Sequence, residues 1–319
     1  MPRRSIVCEI THTVWRRKAG TMKKEPRISN RSITQELLVM MLPCMLVMLV
    51  IFIYPLSKLL INSLQRYKLI DPVKTFIGLD NYINAFEDKN FVKSLGTTLK
   101  YVAMSLAIEV PLALVLMEII ASVKKGQNFI RTCFLPPMVV PSVVNGTIWK
   151  LMFNPSSGII TYIALKLGFE NAANWLTMET PALWCLVAID VWASTPFLLV
   201  ILLAGRASIS ETYYEASKID GAGPVSMFFK ITLPLLKNQL LFGLMIRLTD
   251  CIRVFPTIHI MTAGGPGTAT QTINYLAYKT AFSYSNIGYA SAMGVIMMVV
   301  SIICVLLLSS SFKMGGRKR

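Results

Sequence analysis

The sequence predicts an all-α fold, a polytopic membrane protein with six transmembrane helices and both termini in the cytoplasm, and three observations carry that reading. Hydrophobic residues fill 54% of the 319 positions and charged residues 15%, with a mean hydropathy of +0.57. The apolar residues are gathered into blocks of about 20, the length a helix needs to cross a hydrocarbon core. The basic residues fall at the edges of those blocks, where the inner surface of a bilayer draws them. A formal net charge of +16 would also suit a nucleic-acid binder, but the charges are scattered and form no stripe. Membrane lipid, not nucleic acid, is the partner they imply.

In chain order, residues 1–36 form a basic cytoplasmic tail with nine Lys/Arg and no apolar core, so no cleavable signal peptide is expected. Met22 precedes "KKEPRISNRS", and residues 1–21 read either as a dispensable tail or as an artefact of start-codon choice. The expected spans are 37–61, 98–121, 130–153, 181–204, 239–261 and 288–310. The chain then divides into the tail, a first helix with its outer segment (37–93), a core of five helices (94–310) and a basic tail (311–319). The core contains a cytoplasmic loop, 205–238. With an even number of spans both ends share a side. That side holds 20 Lys/Arg against 7 on the other, which makes it the cytoplasm.

Five of the six cysteines (Cys44, Cys133, Cys185, Cys251, Cys304) fall in apolar blocks and Cys8 in the tail, so they read as small packing residues.

The third block, "FLPPMVVPSVVNGTIW", places Pro136, Pro137, Pro141 and Gly146 inside a span. Proline removes a hydrogen bond from the helix and clashes with the preceding turn. Such a break is tolerated at membrane depth only where it is packed in protein or lines a water-filled path.

Charges lie within the fourth and fifth blocks. Asp190 stands near the middle of "LVAIDVWASTPF", and "LFGLMIRLTDCIRVF" carries Arg247, Asp250 and Arg253 at i, i+3 and i+6. Each costs at least ~2.5–3.5 kcal/mol on insertion scales, so each should face the bundle interior or a wet cavity and find a partner. Arg247 and Asp250 share a helical face and suit a pair, leaving Asp190 for the remaining arginine. Two readings stand: an ion network that fixes helix register, or a polar lining for a hydrophilic solute. Glu109, in "LAIEVPLAL", is a weaker candidate for that lining, since one helical turn of shift would place it near headgroups or another subunit. Trp192 suits either packing or stacking on a sugar ring, and Trp175 reads as an interface anchor.

No G-x-x-x-x-G-K-[ST] occurs, so this chain does not itself cradle nucleotide phosphates. "AGGPGTAT" (263–270) lacks the Lys and reads as a turn closing the fifth span. The only histidines, His12 and His259, are too few for a metal or catalytic cluster. Neither an enzyme nor a cofactor is implied.

The cytoplasmic loop has its own helical grammar. Thr212 and Glu215 form a T-x-x-E capping box, Gly221 after Asp220 is a stop, and Pro224 suits the first turn of a second helix. Val225, Phe228, Phe229 and Thr232 then repeat at helical spacing, and Pro234 ends the helix before the fifth span. The product is helix, glycine corner, helix. Such a knuckle either lies on the headgroups or fills a groove in another protein.

The order Glu215-Ala216-Ser217-x-x-Asp220-Gly221-Ala222, followed by Phe228, Ile231, Leu233 and Pro234, resembles the EAA loop of inner-membrane permeases of binding-protein-dependent ABC importers. "FIGLDNYINAF", "FLPPMVVPSVV", "MTAGGPGTATQTINYLAYKTAF" and "GYASAMGV" are similar to its sugar-permease branch, the maltose and glycerol-phosphate type. The resemblance implies a type I ABC importer permease in a bacterial or archaeal cytoplasmic membrane. It also implies a second homologous permease subunit, two cytoplasmic ATPase subunits and an extracytoplasmic solute-binding protein as partners. The EAA residues would be an ATPase-coupling element. Ser217 replaces the motif's second Ala, and Arg206 stands where a Leu is usual.

By the same resemblance the maltose-type solute lining falls on Met138, Ser142, Asp190, Ser194, Arg247, Cys251 and Val254, with Asp250 beside them on charge alone. The rival reading is an ion-coupled secondary carrier that uses Asp190 and Asp250.

Overall fold

Backbone that cannot hydrogen-bond to lipid must pair with itself, and the chain answers with helices almost throughout. The computed structural model describes the backbone of residues 30–316 and the side chains of 39–310, in both cases without residues 72 and 124. Residues 1–29 and 317–319, with the start-codon question at 1–21, lie outside the described residues.

α1 (Asn30–Ser63) carries the first span and begins within the expected tail. A short antiparallel pair, β1 (Gln65–Arg66) and β2 (Thr75–Phe76), and α2 (Asp80–Glu87) form the outer segment. α3 (Lys89–Ser122) starts well before the predicted residue 98. Asp88 caps it, its Oδ1 accepting from the Asn90 N–H at 2.8 Å and its Oδ2 from the Tyr289 hydroxyl at 3.0 Å. The first turns escape hydropathy because their polar groups are paired inside. Gln271 Nε2 donates to Ser94 Oγ, and the Ile273 N–H to Thr98 Oγ1, both at 3.0 Å.

The third span is not one helix. It comprises α4 (Gln127–Phe134), α5 (Pro136–Val139) and α6 (Ser142–Met152), with Val140 and Pro141 extended between the last two at ψ of 123° and 139°. The prolines that predicted a break produce it. After α7 (Ile159–Lys166) and a 3-10 turn at Ala172–Asn174, α8 (Glu179–Ala207) is the fourth span.

The loop predicted to be cytoplasmic folds as α9 (Glu211–Ile219), a corner at Gly221, and α10 (Pro224–Met227). α10 runs through a π-turn at Phe228–Thr232 into α11 (Leu233–Leu235) and α12 (Lys237–Ile252). Pro234 therefore does not end the second helix as expected. It sits in the first turn of α11, where a missing N–H is no loss. The fifth predicted span is likewise a composite, α12 followed by α13 (Pro256–Met261). α14 (Ile273–Tyr278) with a π-turn at Lys279–Ser283 leads to α15 (Ile287–Gly316), the last span, which continues past the expected residue 310. Among the described residues four helices are long and apolar enough to cross a membrane alone, those of the first, second, fourth and sixth predicted spans.

The Cα packing divides the chain between Lys58 and Leu59, and everything below belongs to the second unit. There α3 packs along α8, and α12 packs against α3, α8 and α15. Two apolar clusters result. One holds Tyr101, Val102, Ile189, Cys251 and Ile252; the other holds Ala113, Met117, Leu198, Leu202, Leu236 and Leu240. Gly205 eases the approach of α8 to the start of α12, since a Cβ there would lie 2.7 Å from Leu236 Cδ2 and 2.8 Å from Gln239 Cγ, side-chain ends that would have to shift.

Candidate functional site

The two apolar clusters meet at a buried charge network. Arg247 on α12 donates from Nε to both carboxylate oxygens of Glu109 on α3, each at 2.9 Å, and from Nη2 to Asp190 Oδ2 on α8 at 2.9 Å. The same Nη2 lies 3.3 Å from Cys251 Sγ, and that sulfur donates to Asp190 Oδ2 at 3.6 Å. Glu109 is fully buried, Arg247 is 4% exposed, and the Asp190 side chain 15%. Two carboxylates thus share one guanidinium, whose planar fork serves both at once.

This pairing corrects three expectations, the first being that Asp190 serves the remaining arginine, Arg253: it binds Arg247 instead. Glu109 does not face headgroups; it is the first partner of Arg247. Asp250 does not pair with Arg247 but with Arg253, at 3.5 Å on a half-exposed surface. The reason is tertiary: three helices converge on Arg247, and buried partners on α3 and α8 outweigh a local partner that is half-exposed. Both carboxylates of the carrier reading, Asp190 and Asp250, have arginine partners.

A cleft of about 220 Å³ opens beside this network at the break between α5 and α6. Five of the eight expected path residues line it: Met138, Ser142, Ser194, Arg247 and Asp250. Asp190 and Cys251 stand behind it and hold Arg247. Val254 is apart, packed against the first apolar cluster. The cleft also contains Asn145, which sequence reasoning passed over. Asn145 is 4% exposed and its Oδ1 has no hydrogen-bond partner among the described residues. A lone Asn in an apolar span was the available signal. Trp192 is 42% exposed and meets Trp149 edge to face at 5.3 Å. Trp175 packs on Phe153 and Phe169.

At the other end of α8, Ser210 caps α9, its Oγ facing the Thr212 N–H at 3.4 Å. The expected cap at Thr212 is therefore two residues late, and Thr212 is already helical. Gly221 has φ +75°, a left-handed corner that glycine adopts without strain. Glu215, Ala216, Asp220, Gly221 and Pro234 are exposed, while Ser217 and Ile231 are half-buried. Phe228 and Leu233 face inward onto the second apolar cluster. The apolar surface that the knuckle presents is instead Tyr213, Ile219, Val225 and Phe229. The π-turn helps to set this split, with Phe228 turned in and Phe229 out, their rings edge to face at 5.0 Å.

Residues 109–312 match the family described as binding-protein-dependent transport system inner membrane component. The chain is 38% identical over 249 residues to the trehalose/maltose transport system permease protein MalF of Thermococcus litoralis, covering 78% of this chain and 83% of the relative. It is 30% identical over 265 residues to the sn-glycerol-3-phosphate transport system permease protein UgpA of Escherichia coli O157:H7, covering 82% and 88%. Among solved structures it is similar to a chain of a bacterial ABC transporter involved in import of the acidic polysaccharide alginate. That likeness has a TM-score of 0.77 at 24% identity and covers 89% of this chain and 97% of the other.

Proposed function

The chain belongs to the binding-protein-dependent transport system inner membrane components, and from that premise we propose that it passes a sugar or sugar-like polar solute through the cleft beside Arg247. It is the permease subunit of an ABC importer, with ATP hydrolysis on a separate subunit. A second permease would complete the path, two ATPase subunits would grip the knuckle 215–235, and an external binding protein would deliver the solute. The names of the relatives, trehalose, maltose and glycerol phosphate, support a hydroxyl-rich cargo.

One observation carries the solute reading. Asn145 Oδ1 is buried without a partner in a cleft that also holds Arg247 and two serines. An unpaired buried acceptor destabilises the fold by ~1–3 kcal/mol, and a solute hydroxyl would satisfy it. Asn145→Leu, close in volume, should therefore leave folding unchanged or improved. In proteoliposomes with the cognate subunits it should raise the KM for labelled trehalose or maltose about tenfold, the equivalent of one good hydrogen bond. Unaltered uptake kinetics would remove the cleft from the solute path. The carrier reading finds no support, because both of its carboxylates are held by arginines.

A further inference from the structure

Arg206 is the last-turn residue of α8, and it is not among the residues of the coupling motif. Its side chain is only 14% exposed, at the root of the knuckle. Three groups from two other elements surround it. The Glu118 carboxylate, from the last turns of α3, is 4.0 Å from Nε. The Glu211 carboxylate, at the first turn of α9, is 3.9 Å from Nη1. The guanidinium carbon stands 3.9 Å above the centre of the Tyr214 ring, and the Tyr214 hydroxyl shares a buried hydrogen bond of 2.9 Å with Thr232 Oγ1 in the π-turn. A flat cation between an aromatic face and two carboxylates uses charge and ring stacking, both of which arginine has and leucine lacks.

The connection matters because of where it ends. Glu118 and Arg206 close the second and fourth spans, whereas Tyr214 and Thr232 belong to the two arms of the knuckle. Gly205, the preceding residue, lets α8 touch Leu236 and Gln239 just beyond the knuckle. Both ends of the loop are thus gathered at one point, where Arg206 lines a cleft of about 450 Å³ together with Glu118, Glu211 and Tyr214. The two ion pairs are also long: Arg206 Nε and Glu118 Oε1 are buried without a hydrogen bond. A shift of about an ångström would bring them to the 2.7–2.9 Å of a charge-assisted bond.

We propose that Arg206 is a positioning residue that latches the knuckle to the ends of the second and fourth spans, so that movement of the knuckle is passed to the cleft. The proposal rests on the reading of 215–235 as the ATPase-docking element. Glu118 and Glu211 supply the charge that holds the arginine in place, and Tyr214 carries the link onward to the π-turn. A stretch that was connected to the spans only by chain ends would swivel; one pinned through Arg206 moves as a lever.

The test uses the assembled complex in proteoliposomes, with Ser142→Cys as reporter and a membrane-impermeant maleimide as probe. Background labelling is measured in the chain that retains Ser142. With ATP and vanadate the reporter's labelling rate should change in the parent chain. Arg206→Leu should copurify with the ATPase as before yet lose at least fivefold of that change, and Arg206→Lys should regain part of it. Arg206→Leu responding like the parent would overturn the latch while leaving docking intact. An ATPase that does not copurify with the parent chain would overturn docking and the latch with it.

Discussion

Arg247→Met is expected to destabilise the chain by ~3–5 kcal/mol, the range for breaking a buried ion pair by removing one partner, and to abolish uptake. Glu109 is fully buried and Asp190 nearly so, and without the guanidinium both are left facing one another across the α3, α8 and α12 contact. Like charges in so dry a place repel strongly. The double variant Glu109→Gln with Arg247→Met removes one charge of each sign. It is expected to recover most of the thermal stability in detergent but not the transport. That split separates two roles of one residue: Arg247 fixes the register of three helices, and it also faces the cleft. Uptake restored in the double variant would assign Arg247 to register alone.

Gly221→Asp is expected to leave the protein folded and uncoupled. The corner has φ +75°, and a Cβ added there meets nothing within 4 Å among the described residues. The cost is the left-handed backbone alone, on the order of 1–2 kcal/mol and lower for Asp than for most residues. A new carboxylate would project into whatever grips the corner. ATPase copurification and ATP-driven uptake should therefore fall at least tenfold while the melting temperature stays close to that of the parent. Gly126→Asp is the control, because Gly126 has φ +79° and equally open surroundings outside the knuckle. It should transport normally. Equal loss in both variants would mean that the backbone, not docking, is responsible.

Much of this was legible in the sequence, and the misses share a cause. The proline run announced the broken third span, because a residue that cannot donate a hydrogen bond breaks a helix wherever it stands. Gly221 and Pro224 announced the knuckle in the same local way. By contrast, the partner of Arg247 was sought on its own helix, at Asp250, and was found on two others. Periodicity shows which residues share a face and says nothing of which helix the face will meet. Phe228 and Phe229 make the same point, since both lie in the π-turn, where the regular helical spacing is interrupted. Helix spacing predicts one common face for both; the structure divides them. Arg206 was a departure from the family pattern with no reading attached, and its neighbours Glu118 and Tyr214 come from separate elements.

The claim that 215–235 receives the work of a separate ATPase is tested most directly by site-specific photocross-linking in the native membrane. Ile219 and Ile70 are nearly equally exposed apolar residues, 88% and 85%, one on the knuckle and one in the outer segment. A benzophenone side chain at 219 should form an adduct with the ATPase subunit, and the same group at 70 should not. Lipid adducts alone at 219, with the ATPase present in the complex, would contradict docking and make the knuckle an interfacial helix.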